Sequence, residues 1–303
     1  MRVAAIDVGT NTALLTIAEG DVAIEERAEI VRLGEGLDKS GRLKDEAIAR
    51  TVAVVAEFAD AIARHSCART AAVTTEAVRK AANGGEFVAQ ASAVLARVGG
   101  RMEVIDGERE ARLSWRAVAS SFPELGGART VVDIGGGSTE LIVGAREVEG
   151  VISLPIGSVR LTERIVAHDP PTADEAARLI ATIDEALVAA PAPRGALVGI
   201  AGTVTTLAAM AQRLLSYDGA RVHGSTLSRA TVDALVAQLG ATSLADKRRT
   251  PGLDPKRADV IWAGAIILQR VMARAGVDEC IVSDRGIRWG LIDEMSAKLS
   301  ATR

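Results

Sequence analysis

Apolar and polar residues alternate with two different periods along this chain. Short apolar runs typical of strands occupy residues 3–6, 13–18, 71–73, 102–105, 130–134, 196–200 and 279–282. Between these runs, apolar residues recur at helical spacing, most clearly over 44–65, 172–190 and 256–274. Because strands and helices alternate through both halves, the pattern predicts an α/β fold.

One stretch near the start of the chain is repeated in the middle. A strand, a glycine turn and a second strand at residues 3–18 reappear at 130–143. Within them, residues 133–139 (Asp-Ile-Gly-Gly-Gly-Ser-Thr) echo residues 7–12 (Asp-Val-Gly-Thr-Asn-Thr). A repeat separated by this length of chain indicates a duplicated domain and not a short structural repeat.

The length of the chain and a break in its pattern both favour two domains. A chain of 303 residues exceeds what one hydrophobic core usually supports. The helical and strand patterns stop at the Pro- and Gly-containing segment 122–127, which is the candidate hinge. We therefore expect one domain from residues 1–124 plus 285–303, a second from 125–284, and a cleft between them.

Composition narrows the class of partner. A net charge of -3 and an aromatic content of 2% argue against nucleic acid, whose binding needs a basic face and stacking platforms. No apolar run approaches the roughly 20 residues of a membrane-spanning helix, and the first residues lack the features of a secretory signal, which predicts a cytoplasmic protein. Cys67 and Cys280 belong to no Cys/His cluster, so neither a disulfide framework nor a zinc site is expected.

Three glycine-rich turns follow predicted strands. Their residues are Gly9, Thr10 and Asn11 in the first, Gly135, Gly136, Gly137, Ser138 and Thr139 in the second, and Gly202 and Thr203 in the third. Glycine lets backbone N–H groups converge on an anion, hydroxyls add donors, and a helix N-terminus attracts negative charge. Any one turn alone fits an ordinary hairpin or strand-to-helix connection. The combination, with two turns in duplicated positions, predicts phosphate binding.

Acidic residues lie beside two of these turns. Asp7 and Asp133 stand at the ends of strands, directly before the turns, and Glu140 lies on the strand that leaves the second turn. A carboxylate repels phosphate unless a cation lies between them. Because Mg²⁺ prefers one or two carboxylates together with waters and phosphate oxygens, Asp7 and Asp133 are candidate Mg²⁺ ligands. Glu140 is either a third carboxylate near the same metal or a solvated strand residue, and the pattern leaves both interpretations open.

Six motifs resemble, in residue type and in order, those of the exopolyphosphatase and guanosine pentaphosphate phosphohydrolase (Ppx/GppA) family. They are 7–12, 74–79 (Thr-Thr-Glu-Ala-Val-Arg), 107–112 (Gly-Glu-Arg-Glu-Ala-Arg), 133–140, 202–206 and 283–288 (Ser-Asp-Arg-Gly-Ile-Arg). The resemblance implies two actin-like (ribonuclease H-like) ATPase-superfold domains, in the short two-domain form, that close over the substrate. It also implies a homodimeric phosphoanhydride hydrolase that acts on inorganic polyphosphate or on guanosine pentaphosphate.

The same resemblance implies roles for single residues. It identifies Glu110 as the catalytic base that orients and deprotonates the attacking water, and Arg79 as an arginine that reaches the phosphate chain. The residues alone leave Arg79 open as an ordinary helix-surface arginine. Two positions depart from the family pattern, because Arg109 stands where relatives often carry an acidic residue and Trp289 stands where they commonly carry Glu.

Several alternatives remain open at this point. Guanosine pentaphosphate presents the same terminal phosphoanhydride as polyphosphate, and only the scarcity of aromatic residues favours polyphosphate. An actin-like kinase would need an acceptor pocket and a catalytic Asp, and a nucleotide-binding assembly protein would use hydrolysis to time a conformational change. Glu110 and the order of the motifs favour water as the acceptor.

We also expect the basic run 247–249 to be solvated, and Trp115 and Trp262 to lie in the core.

Overall fold

The computed structural model describes residues 1–300, which fall into two compact units. Unit 1 comprises Met1–Ala117 and the segment that begins at Gly286, and unit 2 comprises Val118–Arg285. Within the described residues, no helix combines the length and the apolar character that crossing a bilayer requires.

The strands are distributed over two sheets. Those of unit 1 are β1 (Arg2–Val8), β2 (Thr12–Glu19), β3 (Val22–Ile30), β4 (Arg69–Thr74) and β5 (Met102–Val104). Those of unit 2 are β6 (Arg129–Ile134), β7 (Thr139–Gly144), β8 (Val148–Leu154), β9 (Ala196–Ile200), β10 (Thr226–Ser228) and β11 (Glu279–Val282).

The helices alternate with these strands. The first five are α1 (Leu37–Ser40), α2 (Asp45–Arg64), α3 (Glu76–Lys80), α4 (Gly84–Leu95) and α5 (Gly107–Ser121). They are followed by α6 (Ser158–Ile165), α7 (Ala173–Leu187), α8 (Ala201–Ala211), α9 (Gly219–Val222), α10 (Arg229–Ala241), α11 (Leu244–Lys247), α12 (Ile261–Ala275) and α13 (Ile287–Ser300). Short 3-10 helices occupy Ala96–Val98, Pro123–Leu125 and Pro255–Arg257.

The sheet of unit 1 has the strand order β3-β2-β1-β4-β5. Strands β1, β2 and β3 form an antiparallel meander, and β4 and β5 continue the sheet in parallel with β1. One face packs against α2 and α4, which contribute Phe58 and Phe87, and the other packs against α5 and α13, which contribute Leu113 and Trp289. Because β1 is covered on both faces, its sequence is a continuous apolar run instead of an alternating one.

The sheet of unit 2 has the strand order β10-β11-β9-β6-β7-β8. Strands β6, β7 and β8 form the meander, β9 lies parallel to β6, and β11 lies parallel to β9. The order β8-β7-β6-β9-β11 therefore repeats that of unit 1, and β10 adds an antiparallel edge strand. The predicted α/β class and the predicted pair of similar sheets are confirmed.

Of three finer predictions, one is confirmed and two are wrong in part. Trp115 and Trp262 are 6% and 5% exposed, so their expected place in the core is confirmed. The predicted helix over 256–274 starts too early, because Pro255 opens a separate 3-10 turn that the Asp254 side chain caps, and α12 begins only at Ile261. The expectation that 247–249 is solvated is wrong for Lys247, which is 4% exposed at the end of α11.

Candidate active site

The first glycine turn joins β1 to β2 in unit 1. In this turn the N–H of Gly9 donates to the carbonyl of Thr12 over 3.0 Å. The carbonyls of Thr10 and Asn11 accept hydrogen bonds from backbone N–H groups of the segment 31–34 at 2.9–3.0 Å. The C=O and N–H of a trans peptide unit point in opposite directions. The peptide unit that joins Thr10 to Asn11 therefore directs its N–H away from the supporting segment, as an anion-binding turn requires.

The second turn, between β6 and β7 in unit 2, has the same construction. The N–H of Gly135 donates to the carbonyl of Ser138 over 3.0 Å. The carbonyls of Gly135, Gly136 and Gly137 all accept hydrogen bonds from the start of α6, residues 158–160, at 2.6–3.1 Å. By the same geometry, the N–H groups of Gly136 and Gly137 face away from α6. Each unit thus has a turn whose carbonyls are held on one side and whose amides face the other.

The support of the second turn involves two residues that sequence reasoning missed. A Cβ added to Gly157 would lie 2.4 Å from the carbonyl oxygen of Gly136 and 2.5 Å from the carbonyl carbon of Gly137, so only glycine allows α6 to approach this closely. The buried side chain of Arg160 donates through Nη1 to the carbonyl of Gly137 over 2.6 Å. The only signal in the sequence was a single glycine between the elements that became β8 and α6, and such a glycine is too common to interpret.

The remaining predicted residues of these turns are well buried. Asn11, Ser138 and Thr139 are 8%, 5% and 0% exposed. The Thr139 hydroxyl donates to the carbonyl of Ile156, so it fixes the turn and is not directed at a ligand.

The third predicted turn lies at the start of α8. Ala201 has a left-handed backbone with φ of 68°, and Ile200 at the N-cap supplies no side-chain hydrogen bond to the first amides. The guanidinium of Arg257 lies directly against this turn, because a Cβ on Gly202 would come within 2.2 Å of Arg257 Nη1. A guanidinium beside a helix N-terminus places two positive features together, and both favour an anion. Thr203, in the same turn, is 4% exposed.

Asp7 is a partly buried residue on β1. Val3 and Ala5 face the side of the sheet covered by α5 and α13, and Asp7 shares their alternation. Its Oδ1 is buried, and no donor within the described part of the chain reaches it. Burial raises the pKa of Asp7 from 3.8 to about 6, although the charge of Arg288 on α13 lowers it. A buried carboxylate oxygen without a hydrogen-bond partner suits a metal ligand.

Asp133 and Glu140 face each other across β6 and β7. They are 7% and 2% exposed, so the solvated alternative for Glu140 is wrong. Directly opposed residues of an antiparallel pair lie on the same face with Cβ atoms about 5 Å apart. Glu140 Oε1 also accepts a hydrogen bond from the Ser153 hydroxyl at 2.6 Å, which fixes its orientation.

The carboxylates fit a metal bound by few protein ligands. Across residues 1–300, no group of three or more His, Cys, Asp or Glu side chains is arranged to hold a metal. Mg²⁺ commonly takes only one or two carboxylates and completes its shell with water and phosphate oxygens, which agrees with Asp7 in unit 1 and with the opposed pair in unit 2.

Glu110 lies in the first turn of α5, beside Arg79. Its side chain is 8% exposed, and its Oε2 lies 3.7 Å from Nη1 of Arg79. Arg79 also donates to the carbonyl of Ile105, just before α5, so it is held in place by the backbone. The structure thus brings together within unit 1 a buried carboxylate and an arginine that is 28% exposed. This arrangement is suited to a base next to a phosphate-binding cation.

Comparison with known proteins gives a consistent result. Residues 16–299 match the sequence model of the Ppx/GppA phosphatase family. Exopolyphosphatase 2 of Mycobacterium tuberculosis is 38% identical over 309 residues, which cover 96% of this chain and 97% of that protein. Exopolyphosphatase 1 of Mycobacterium leprae is 29% identical, with 96% and 88% coverage.

Solved structures agree along almost the whole length. A Ppx/GppA family member from Aquifex aeolicus is 36% identical with a TM-score of 0.83 and covers 98% of both chains. An exopolyphosphatase from Cytophaga hutchinsonii is 28% identical with a TM-score of 0.88 and covers 97% of both chains.

Proposed function

Because this chain belongs to the Ppx/GppA phosphatase family, we propose that it is an exopolyphosphatase, which removes terminal phosphoryl groups from inorganic polyphosphate by in-line attack of water. The observation that carries this proposal is the buried Glu110 carboxylate, 3.7 Å from Arg79 at the start of α5. Phosphoryl transfer to water needs one carboxylate within reach of the nucleophile, together with positive groups that neutralise the phosphate.

Glu110 is the proposed general base. Its place in the first turn of a long helix fixes its backbone, and its low exposure keeps bulk water from competing for the carboxylate. Arg79 is the proposed contact to the phosphoryl group next to the attacking water, because a guanidinium offers paired donors to phosphate oxygens. The hydrogen bond from Arg79 to the carbonyl of Ile105 orients that guanidinium before substrate arrives.

The glycine turns are the proposed phosphate sites. In unit 1 these are Gly9, Thr10 and Asn11, and in unit 2 they are Gly135, Gly136, Gly137, Ser138 and Thr139, of which the last acts by holding the turn. Gly202 and Thr203 form a third site, to which we add Arg257, because its guanidinium lies against Gly202. Backbone amides bind phosphate oxygens whatever group the phosphate is attached to, which suits a polymer of identical units.

Asp7, Asp133 and Glu140 are the proposed ligands of Mg²⁺ or another divalent cation. Bound there, the cation would neutralise phosphate oxygens and withdraw charge from the bond that breaks. The residues themselves favour this assignment, since Asp7 Oδ1 is buried without a donor from the described residues and Asp133 opposes Glu140 across the ladder.

Polyphosphate is the proposed substrate in preference to guanosine pentaphosphate. The chain has one Tyr, three Phe and three Trp, and all three Trp are buried. Few aromatic faces are therefore available to stack on a guanine base. From the family resemblance we further propose that the protein is a cytoplasmic homodimer and that it binds neither nucleic acid nor a membrane. Sizing chromatography of the purified protein tests the dimer.

The proposal is tested by measuring phosphate release from short polyphosphate, long polyphosphate, guanosine pentaphosphate and ATP, each with Mg²⁺ and with a chelator. We expect release from polyphosphate that needs the cation. Release from the guanosine nucleotide alone would move the assignment to that phosphohydrolase, and transfer to an added acceptor from ATP would support an actin-like kinase instead.

A further inference from the structure

Arg109, which departs from the family pattern, forms a forked ion pair next to the proposed base. Its Nη1 and Nη2 each donate to one oxygen of Glu294 on α13. The side chains are 40% and 20% exposed, so the pair is partly shielded from water. A bidentate arginine–carboxylate pair fixes direction as well as distance, unlike a single contact between flexible charges.

The first turn of α5 is held at several points. The Asp106 carboxylate accepts from the backbone N–H of Arg109 at 2.8 Å, and the Asp106 carbonyl accepts from the N–H of Glu110 at 3.0 Å. One turn further on, α13 touches the helix backbone, because a Cβ on Gly290 would lie 2.3 Å from the carbonyl oxygen of Leu113. Helix α5 therefore lies in close contact with α13, and the Arg109–Glu294 ion pair joins the two helices at the N-terminal end of α5.

Adjacent residues in a helix project about 100° apart, so Arg109 and Glu110 point toward different neighbours. Arg109 reaches α13, while Glu110 reaches Arg79. A rotation of the first turn that released Arg109 from Glu294 would also move the Glu110 carboxylate relative to Arg79. The two contacts are linked through one rigid turn of backbone.

We propose that Arg109 and Glu294 are positioning residues, whose ion pair fixes the rotation of the first turn of α5 and thereby holds the Glu110 carboxylate in place. This inference rests on the proposed function, in which Glu110 activates water. In this role the pair contacts neither the attacking water nor the phosphoryl group. It acts by keeping the base within the narrow range of positions that proton transfer requires.

The test compares Arg109→Met and Glu294→Gln with the charge exchange Arg109→Glu/Glu294→Arg, using initial rates of polyphosphate hydrolysis. We expect each single change to lower kcat by about tenfold with KM unchanged, below the roughly 100-fold that a 1 Å misplacement can cost. The exchange should recover part of the lost kcat. Arg112→Met is the matched control, because it breaks an ion pair with Glu108 on the exposed side of the same helix, where both side chains are 64% exposed.

A second arm separates positioning from general loss of structure. Each change is repeated in a Glu110→Gln background, where the positioning role predicts no further decrease. A loss of the same size in both backgrounds, a change confined to KM, or kcat within twofold of the parent would overturn the inference. If Glu110→Gln itself kept full activity, the proposed function would fail first, and that result is distinguishable because it needs no change at 109 or 294. Glu294→Gln keeps the size of the side chain, so it serves if Arg109→Met does not fold.

Discussion

Replacing Asp7 by Asn is expected to change how stability depends on pH. Burial raises the pKa of Asp7 from 3.8 to about 6 in the folded chain. Between these values the folded state holds a proton that the unfolded state has released, so wild-type stability falls as pH rises through this window. The asparagine variant carries no such proton and should not show this loss.

The magnitude follows from the size of the shift. A shift of one pKa unit is worth about 1.4 kcal/mol, so the raised pKa of Asp7 corresponds to a loss of at most about 3 kcal/mol between roughly pH 4 and pH 7. As the pH rises through this window, the free energy of unfolding of Asp7→Asn should therefore increase relative to that of the wild type by up to that amount. A divalent cation bound to the ionised carboxylate would offset the loss in the wild type alone.

The assay is urea unfolding followed by tryptophan fluorescence at several pH values, with a chelator and with Mg²⁺. Asp21→Asn is the control, because Asp21 is an exposed acid in the same unit. Parallel pH curves for Asp7→Asn and the wild type would refute the reasoning, since they would mean that the ionised Asp7 carboxylate carries no burial cost. Equal stabilisation of both proteins by Mg²⁺ would remove Asp7 from the proposed metal ligands.

Two further predictions concern glycines. Gly157→Ala should lower the free energy of unfolding by about 1–3 kcal/mol in urea titrations, because its Cβ would meet the backbone of Gly136 and Gly137 at 2.4–2.5 Å; an unchanged midpoint would contradict the close approach. Gly202→Ala should raise KM for polyphosphate while the unfolding midpoint changes little, because its Cβ displaces only the flexible end of Arg257. Gly85→Ala, where a Cβ meets nothing within 4 Å, is the control for both, and an unchanged KM for Gly202→Ala would remove Arg257 from the phosphate site.

The sequence was sufficient to predict the elements that carry a periodic signal. Strands such as β1 and β6 are apolar runs, and α2 and α7 have one apolar stripe, so their positions follow from burial alone. The duplicated turns were visible because glycine and hydroxyl residues recur in the same order after two strands. The construction of these turns could not be predicted, since it depends on hydrogen bonds from segments 31–34 and 158–160.

Contacts between residues far apart in the sequence could not be predicted from the pattern of apolar and polar residues. Lys247 lies in a basic run whose composition is that of a solvated loop, and its burial depends on how α11 packs. Arg109 was visible as a departure from the family, but its partner Glu294 is 185 residues away and nothing in either segment points to the other. A charge pair of this kind follows from tertiary packing of α5 on α13, not from local preference.

In the proposed reaction Glu110 activates water for attack on a terminal phosphoryl group, and one measurement tests this role directly. Initial rates of phosphate release from polyphosphate are compared for the wild type, Glu110→Gln and Glu108→Gln. The two glutamates share the first turn of α5, but Glu110 is 8% exposed beside Arg79 whereas Glu108 is 64% exposed. Loss of a general base should lower kcat by about 100-fold to 10,000-fold in Glu110→Gln, with Glu108→Gln close to the wild type. A Glu110→Gln enzyme that kept most of its kcat, or a Glu108→Gln enzyme that lost as much, would contradict the account.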